Sequence, residues 1–322
     1  MKNFLFALLV AVMAVGNGAS QSNPQPGHEV TPAEYERWKT ELSNWGRWGK
    51  DDEIGAMNLI TPAKRVQAAA LVKEGFSVSL AHDIDTVQAP DNPRPYEHKM
   101  LAISKDSIAV DYHGVAHSHL DSLAHINFNG VFYNGYKPDA EAVMKQGHTK
   151  NSIHNLKNGI FTRGVLIDIP RLKGVPYLES GTPIYVEDLE AWEKKTGVKV
   201  GPGDALFIRT GVWAQRKATG PWLRGRYGSQ AGLDVSVIPW LKQRDVAIMG
   251  SDHPQDVTPA SIPGALHDFV LVYLGMHLFD NLDLEALGEA AAARNRWEFL
   301  LTASPLPIPG GTGSPLNPIA TF

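Results

Sequence analysis

The sequence predicts an α/β fold, with α+β as the alternative, and three observations carry that prediction. Short apolar runs of strand length recur at residues 164–169, 204–210, 246–250 and 276–281, and helix-like stretches alternate with them. The chain has 322 residues, 43% of them hydrophobic, enough for one large core. It shows no internal repeat that would point to a solenoid or propeller.

Taken in order, residues 1–20 read as a secretory signal peptide. Lys2 gives a positive start, residues 4–15 form an apolar run too short to span a bilayer, and Gly16, Gly18, Ala19 and Ser20 supply small residues for cleavage. The expected location is therefore secreted or periplasmic, with no membrane contact after cleavage. Residues 21–30 read as a flexible start, and residues 31–322 as one domain. Thr31-Pro-Ala-Glu34 is a capping box with proline at the first helical position, predicting a helix over 32–42. Thr61-Pro62 opens a second helix, with Gly75 beyond its end. Residues 76–84 alternate like a strand, and 86–96 read as a proline-containing loop. Residues 103–112, rich in strand formers, predict the strand that leads into the histidine-rich stretch below. Residues 127–147 read as loops. Helices are expected at 187–196, 237–244, 265–274 and from Leu284, and a last strand at 297–302. The proline- and glycine-rich tail, 304–318, is expected to wrap the surface.

Composition narrows the chemistry. The net charge of −4 argues against a nucleic-acid surface. With no cysteine, thiolate ligands and a cysteine nucleophile are excluded, so any metal is held by nitrogen and oxygen. No dinucleotide or phosphate-binding glycine loop is present, nor a Gly-x-Ser-x-Gly elbow.

The stretch His113-Gly-Val-Ala-His117-Ser-His119-Leu-Asp121-Ser-Leu-Ala-His125 holds four of the chain's twelve histidines together with an aspartate. Imidazole and carboxylate are the ligands a divalent metal such as zinc or manganese takes. His113, His117, His119, Asp121 and His125 share one parity, so an extended chain would turn them to one face. A helix would align His117, Asp121 and His125 instead. Trp45, Trp48, Phe128 and Tyr133 are candidate aromatic walls of a substrate pocket, or else packing residues at the edge of the core.

Ser118-His119-Leu-Asp121-Ser-Leu-Ala-His125 resembles the H-x-G-T-H-x-D-x-P-x-H motif of the cyclase-family metal hydrolases, which include bacterial kynurenine formamidase and isatin hydrolase. Gly203-Asp-Ala-Leu-Phe-Ile-Arg-Thr-Gly211, Gly250-Ser-Asp252, Ala265-Leu-His267 and Phe279-Asp280-Asn-Leu282 are similar to further family segments, so the resemblance runs from about Trp45 to Leu301. It implies a swivelling β/β/α fold and a homo-oligomer, dimer or tetramer. It also implies one or two zinc or manganese ions per chain and a small-molecule substrate. By the motif, His119 and Asp121 are metal ligands, His267 and Asp280 ligands of a second ion, and His125 the group that moves protons. Asp280 stands where the family has glutamate. Val115 occupies the place of the first motif histidine and Leu123 that of the proline, so His113 or His117 fills the missing ligand position, as in a longer branch of the family. The reaction implied is hydrolysis of a carbonyl C–N bond. A lactonase or lyase on the same scaffold, or a non-catalytic metal-binding protein, are the other readings of these residues.

Overall fold

The structure, a computed structural model, describes residues 27–221 and 228–322. The expected signal peptide and most of the flexible start lie outside the described residues. Four short, largely apolar strands stand side by side in parallel: β5 (Ile160–Asp168), β7 (Ala205–Arg209), β9 (Ile248–Ser251) and β10 (His277–Asp280). β7, β9 and β10 are buried along their whole length, as expected where both faces of a parallel sheet are covered. Antiparallel strands extend this centre on both sides into a nine-stranded sheet. Beyond β5 come β11 (Glu298–Ala303), β13 (Ile319–Thr321) and β1 (Ser77–Ser79). Beyond β10 come β4 (His119–Asp121) and β12 (Gly313–Pro315), while β6 (Pro183–Ile184) and β8 (Gly232–Leu233) form a separate parallel pair. The expected mixed α/β architecture is what the chain adopts.

Helices form where their end signals stand. α1 (Pro32–Glu41) and α2 (Pro62–Ala69) begin at Thr31 and Thr61, whose hydroxyls accept from the backbone N–H of Glu34 and Lys64. α5 (Val186–Thr196) stops at Gly197, whose φ of 75° suits glycine. α7 (Ile238–Gln243), α8 (Ala265–Val272) and α9 (Glu285–Arg294) lie within the expected spans. No helix among the described residues is long and apolar enough to cross a membrane.

Several expectations need correction. Residues 103–112 do not deliver the histidine stretch. β2 (Glu97–Ala102) and β3 (Lys105–Ala109) form a separate hairpin, exposed along both strands. Lys105, Asp106 and Ser107 cannot enter a core, so these strand formers pair outside it. Residues 127–147 contain α3 (Ala140–Gln146), capped by Asp139. α4 (Ile169–Lys173) and α6 (Val212–Thr219) were not anticipated. The tail is structural: residues 304–318 supply β12, and just beyond them come β13 and the fully buried Phe322.

Motif segments that resemble the family outside the histidine stretch act as latches. The Asp252 carboxylate accepts from the backbone N–H of Thr210 and Gly211 and from the Thr210 hydroxyl, fixing the start of α6 beside β9. Arg209 donates to Asp168 at the end of β5 and, through two bonds, to Glu285 at the start of α9.

Candidate metal centre

β4 sets the geometry. His119 and Asp121 are two apart on a strand and share a face. Antiparallel pairing places Asp280 of β10 directly opposite His119, and cross-strand partners share a face, so Asp280 joins them. β9 leads into Gln255 and Asp256, and Asp256 accepts from the backbone N–H of Leu266 and His267 at 3.0 and 3.2 Å. That anchors the first turn of α8, which carries His267. His113 and His125 enter from the loops on either side of β4, their rings stacked with centroids 3.8 Å apart.

Asp121 is the hub. Its Oδ1 lies 3.0 Å from His113 Nδ1 and 3.3 Å from His119 Nε2. Its Oδ2 lies 3.4 Å from His267 Nε2 and 3.8 Å from His125 Nε2. Two sets of donor atoms, His113–His119–Asp121 and Asp121–His125–His267, thus each converge to within 4.8 Å. Asp280 belongs to neither set; its Oδ2 is 4.0 Å from His119 Nε2.

Hydrogen bonds on the far side of two rings decide which nitrogen faces this centre. His119 Nδ1 donates to the His117 carbonyl at 2.8 Å, leaving the Nε2 lone pair turned to Asp121. The Gln255 amide nitrogen donates to the Phe279 carbonyl and to Asp280 Oδ1, so its oxygen faces His267 and accepts from Nδ1 at 3.1 Å. His267 Nε2 is thereby also left with a lone pair. His113 Nε2 is 2.9 Å from the Thr312 hydroxyl, with Nδ1 on the inner side. An outward-anchored ring nitrogen with a free inner one is the arrangement of metal-ligating histidine.

Both Asp121 oxygens and His113 Nδ1 are buried and have no hydrogen-bond partner. A buried carboxylate without partners is costly, and donor atoms about 3.0–3.4 Å apart suit a cation held by bonds of ~2.0–2.1 Å. Charge agrees. Burial alone would raise the Asp121 carboxyl, but the surrounding imidazoles outweigh it and hold it well below the usual range. Burial also opposes protonation of His119 and His267, yet the neighbouring carboxylates push them up to about 9 and about 10. The cluster calls for positive charge, which protons or a metal ion can supply. His125 runs the other way: burial, reinforced by the other imidazoles, brings it down to about 4. Burial raises Asp280, with the His267 charge opposing. The residues fit a divalent metal.

His117, the alternative to His113, is directed elsewhere. It precedes β4, its Nε2 bonds to the Arg94 carbonyl at 3.0 Å, and its ring meets Tyr96 edge-on. Tyr133 sits away from the histidine cluster, in the lining of a cavity with Asp52 and Lys150. It is fully buried, packs against Gly275 and donates its hydroxyl to Asp52. Trp45 stacks on Tyr273 just past the end of α8, where Phe128 also packs. Trp48 is half-buried against the core, beneath the Arg47 guanidinium. Gln255, Thr312 and Gly313 carry no signal in the sequence, because an amide, a hydroxyl and a glycine take their part here only from distant neighbours.

The cyclase family model matches residues 53–255. Among solved structures, one described as a novel cyclase is 34% identical, covers 87% of this chain and 100% of its own, and superposes with a TM-score of 0.79. Isatin hydrolase A from Ralstonia solanacearum is 20% identical over 76% of this chain and 91% of its own, with a TM-score of 0.56. Isatin hydrolase A from Labrenzia aggregata, bound to benzyl benzoate, is 18% identical over 79% and 94%, also with a TM-score of 0.56. At these identities the two hydrolases share the fold. No curated protein matches the chain.

Proposed function

The chain belongs to the cyclase family, and from that premise we propose that it is a metal-dependent hydrolase cleaving a carbonyl C–N bond in a small substrate. One observation carries the metal part: the Asp121 carboxylate is buried without a hydrogen-bond partner among four imidazoles. The bond type is supported by the isatin hydrolase neighbours, since isatin is a cyclic amide.

Within this reading His113, His119 and Asp121 hold the ion, and His267 with Asp280 completes the site or holds a second ion. Zinc and manganese both suit such a nitrogen and oxygen set. When bound, the ion polarises the carbonyl and acidifies water. His125, partly open to solvent and facing Asp121 Oδ2, takes the proton released on attack and returns it to the leaving nitrogen. Trp45 and Phe128, packed around Tyr273, are the candidate aromatic contacts for substrate. A homo-oligomer, dimer or tetramer, is supported by the apolar Met100, Leu101, Ile103 and Ile108 standing exposed on or beside the hairpin; light scattering on the purified protein tests it.

The decisive experiment joins elemental analysis of the purified protein to a hydrolysis screen of formamides, lactams and lactones. Bound zinc or manganese with turnover of amides supports the proposal. Turnover of lactones alone makes the enzyme an esterase of the same scaffold, and metal without any turnover makes it a binding protein.

A further inference from the structure

We propose that Gln255 is a positioning residue that presents His267 and Asp280 to the metal centre as a pair. The proposal rests on the metal-dependent reading of that centre. Gln255 is 1% exposed, and its amide makes three hydrogen bonds in directions that leave no freedom. The nitrogen donates to the backbone carbonyl of Phe279 at 3.0 Å and to Asp280 Oδ1 at 2.6 Å. An amide nitrogen has two hydrogens, and both are used. The bond to the β10 carbonyl fixes the orientation of the amide, because a reversed amide would set oxygen against oxygen. With the nitrogen so fixed, the amide oxygen can only accept, and the group facing it is His267 Nδ1 at 3.1 Å.

Two consequences follow at atoms of the metal centre. In the neutral ring that a metal ion requires, His267 keeps its hydrogen on Nδ1 and its lone pair on Nε2, the atom 3.4 Å from Asp121 Oδ2. Asp280 has Oδ1 occupied by the amide, so Oδ2 is the oxygen turned to His119. One side chain therefore selects a histidine tautomer on α8 and a carboxylate rotamer on β10. The neighbouring Asp256 holds the backbone of the same helix turn. The dipeptide Gln255-Asp256 thus fixes both the backbone and the ring of His267.

A merely structural role, tying the β9–α8 loop to β10 through Phe279, predicts different measurements. Zinc binding to the metal-stripped full chain is followed by calorimetry for the wild type, Gln255→Leu, His267→Ala and the double variant. Removing an outer partner of a metal ligand weakens binding about 10–100-fold, and that loss is expected for Gln255→Leu. It should shrink markedly in the His267→Ala background, because the two residues then act as a unit. In the zinc-loaded wild type the His267 Nδ1 proton should give a slowly exchanging downfield resonance, absent in Gln255→Leu. Gln255→Asn, one methylene too short to reach both partners, conserves the amide and is expected to show the same loss if the leucine variant fails to fold. Zinc affinity equal to wild type in these variants, or a loss of the same size with and without His267, overturns the proposal alone. A wild-type protein that takes up neither zinc nor manganese overturns the metal reading, and the proposal with it.

Discussion

At the scale of single residues, Asp121 has the most demanding position in the chain. It is wholly buried, and four imidazoles aim nitrogens at it from β4, from the loops on either side of it and from α8, holding its carboxyl well below the usual range. Asp121→Asn keeps the shape and removes the charge, so it should abolish stoichiometric metal, read by elemental mass spectrometry. Full occupancy in that variant would sink the assignment. His125 offers a sharper separation of roles. As the proton carrier, His125→Ala should lose roughly 10²–10⁴-fold in turnover while retaining most of its metal. Loss of metal together with turnover would instead make it a ligand, a role its place beside Asp121 and His267 also permits. The density of histidine around Asp121 made this neighbourhood legible in the sequence. The choice of His113 over His117 was not, because the hydroxyl that seats the His113 ring belongs to Thr312 and the carbonyl that takes up His117 belongs to Arg94. Parity along the strand could not separate them, since the strand itself begins only at His119.

At the scale of elements, the centre depends on the close approach of three strands. β12 pairs with β4, setting Gly313 opposite Asp121. A Cβ on Gly313 would fall 2.6 Å from the Leu120 carbonyl and 3.0 Å from His113 Cε1, so Gly313 is the residue that lets β12 lie beneath that ring. Gly313→Ala should cost about 1–3 kcal/mol in urea unfolding, as overpacking does, and should weaken zinc binding by displacing His113. An alanine variant with unchanged stability and affinity would show that β12 yields freely there. A second element-level test lies at Arg209, nearly buried between Asp168 and Glu285. Arg209→Leu leaves the buried Asp168 with Arg171 as its one remaining ion-pair partner among the described residues. The expected loss is about 3 kcal/mol, at the low end for a broken buried pair, measured as a shifted urea midpoint. Helices with a local end signal were legible, α1 from its Thr31 cap and α5 from its Gly197 stop. α4 and α6 were not. α6 starts at Gly211, whose amide is satisfied by Asp252, just past the end of β9, rather than by a capping side chain of its own.

At the scale of the molecule, the chain's last residues hold both edges of the sheet. β13 is the strand that joins β1 to β11, and β12 closes the other side against β4. Strands of three residues carry no readable alternation, and the prolines and glycines around them suggest surface loop. The sequence therefore shows the parallel centre, with its continuous apolar runs, far better than the flanks that complete it. This division sets a strong expectation for a variant ending at Gly311. It would lack Thr312, which seats His113, and Gly313, over which that ring lies. It would also strip β1 and β11 of their shared partner and remove the fully buried Phe322, whose carbonyl accepts from Glu74 and Gly75. Removing one buried aromatic alone costs about 3–5 kcal/mol, a large part of the roughly 5–15 kcal/mol that holds a typical protein folded. The truncated chain should thus lose cooperative thermal unfolding by near-ultraviolet circular dichroism and bind no stoichiometric zinc. A truncated chain that unfolds cooperatively at the wild-type midpoint and fills with zinc would show that the parallel centre and the histidine stretch suffice, and that the tail does only cover the surface.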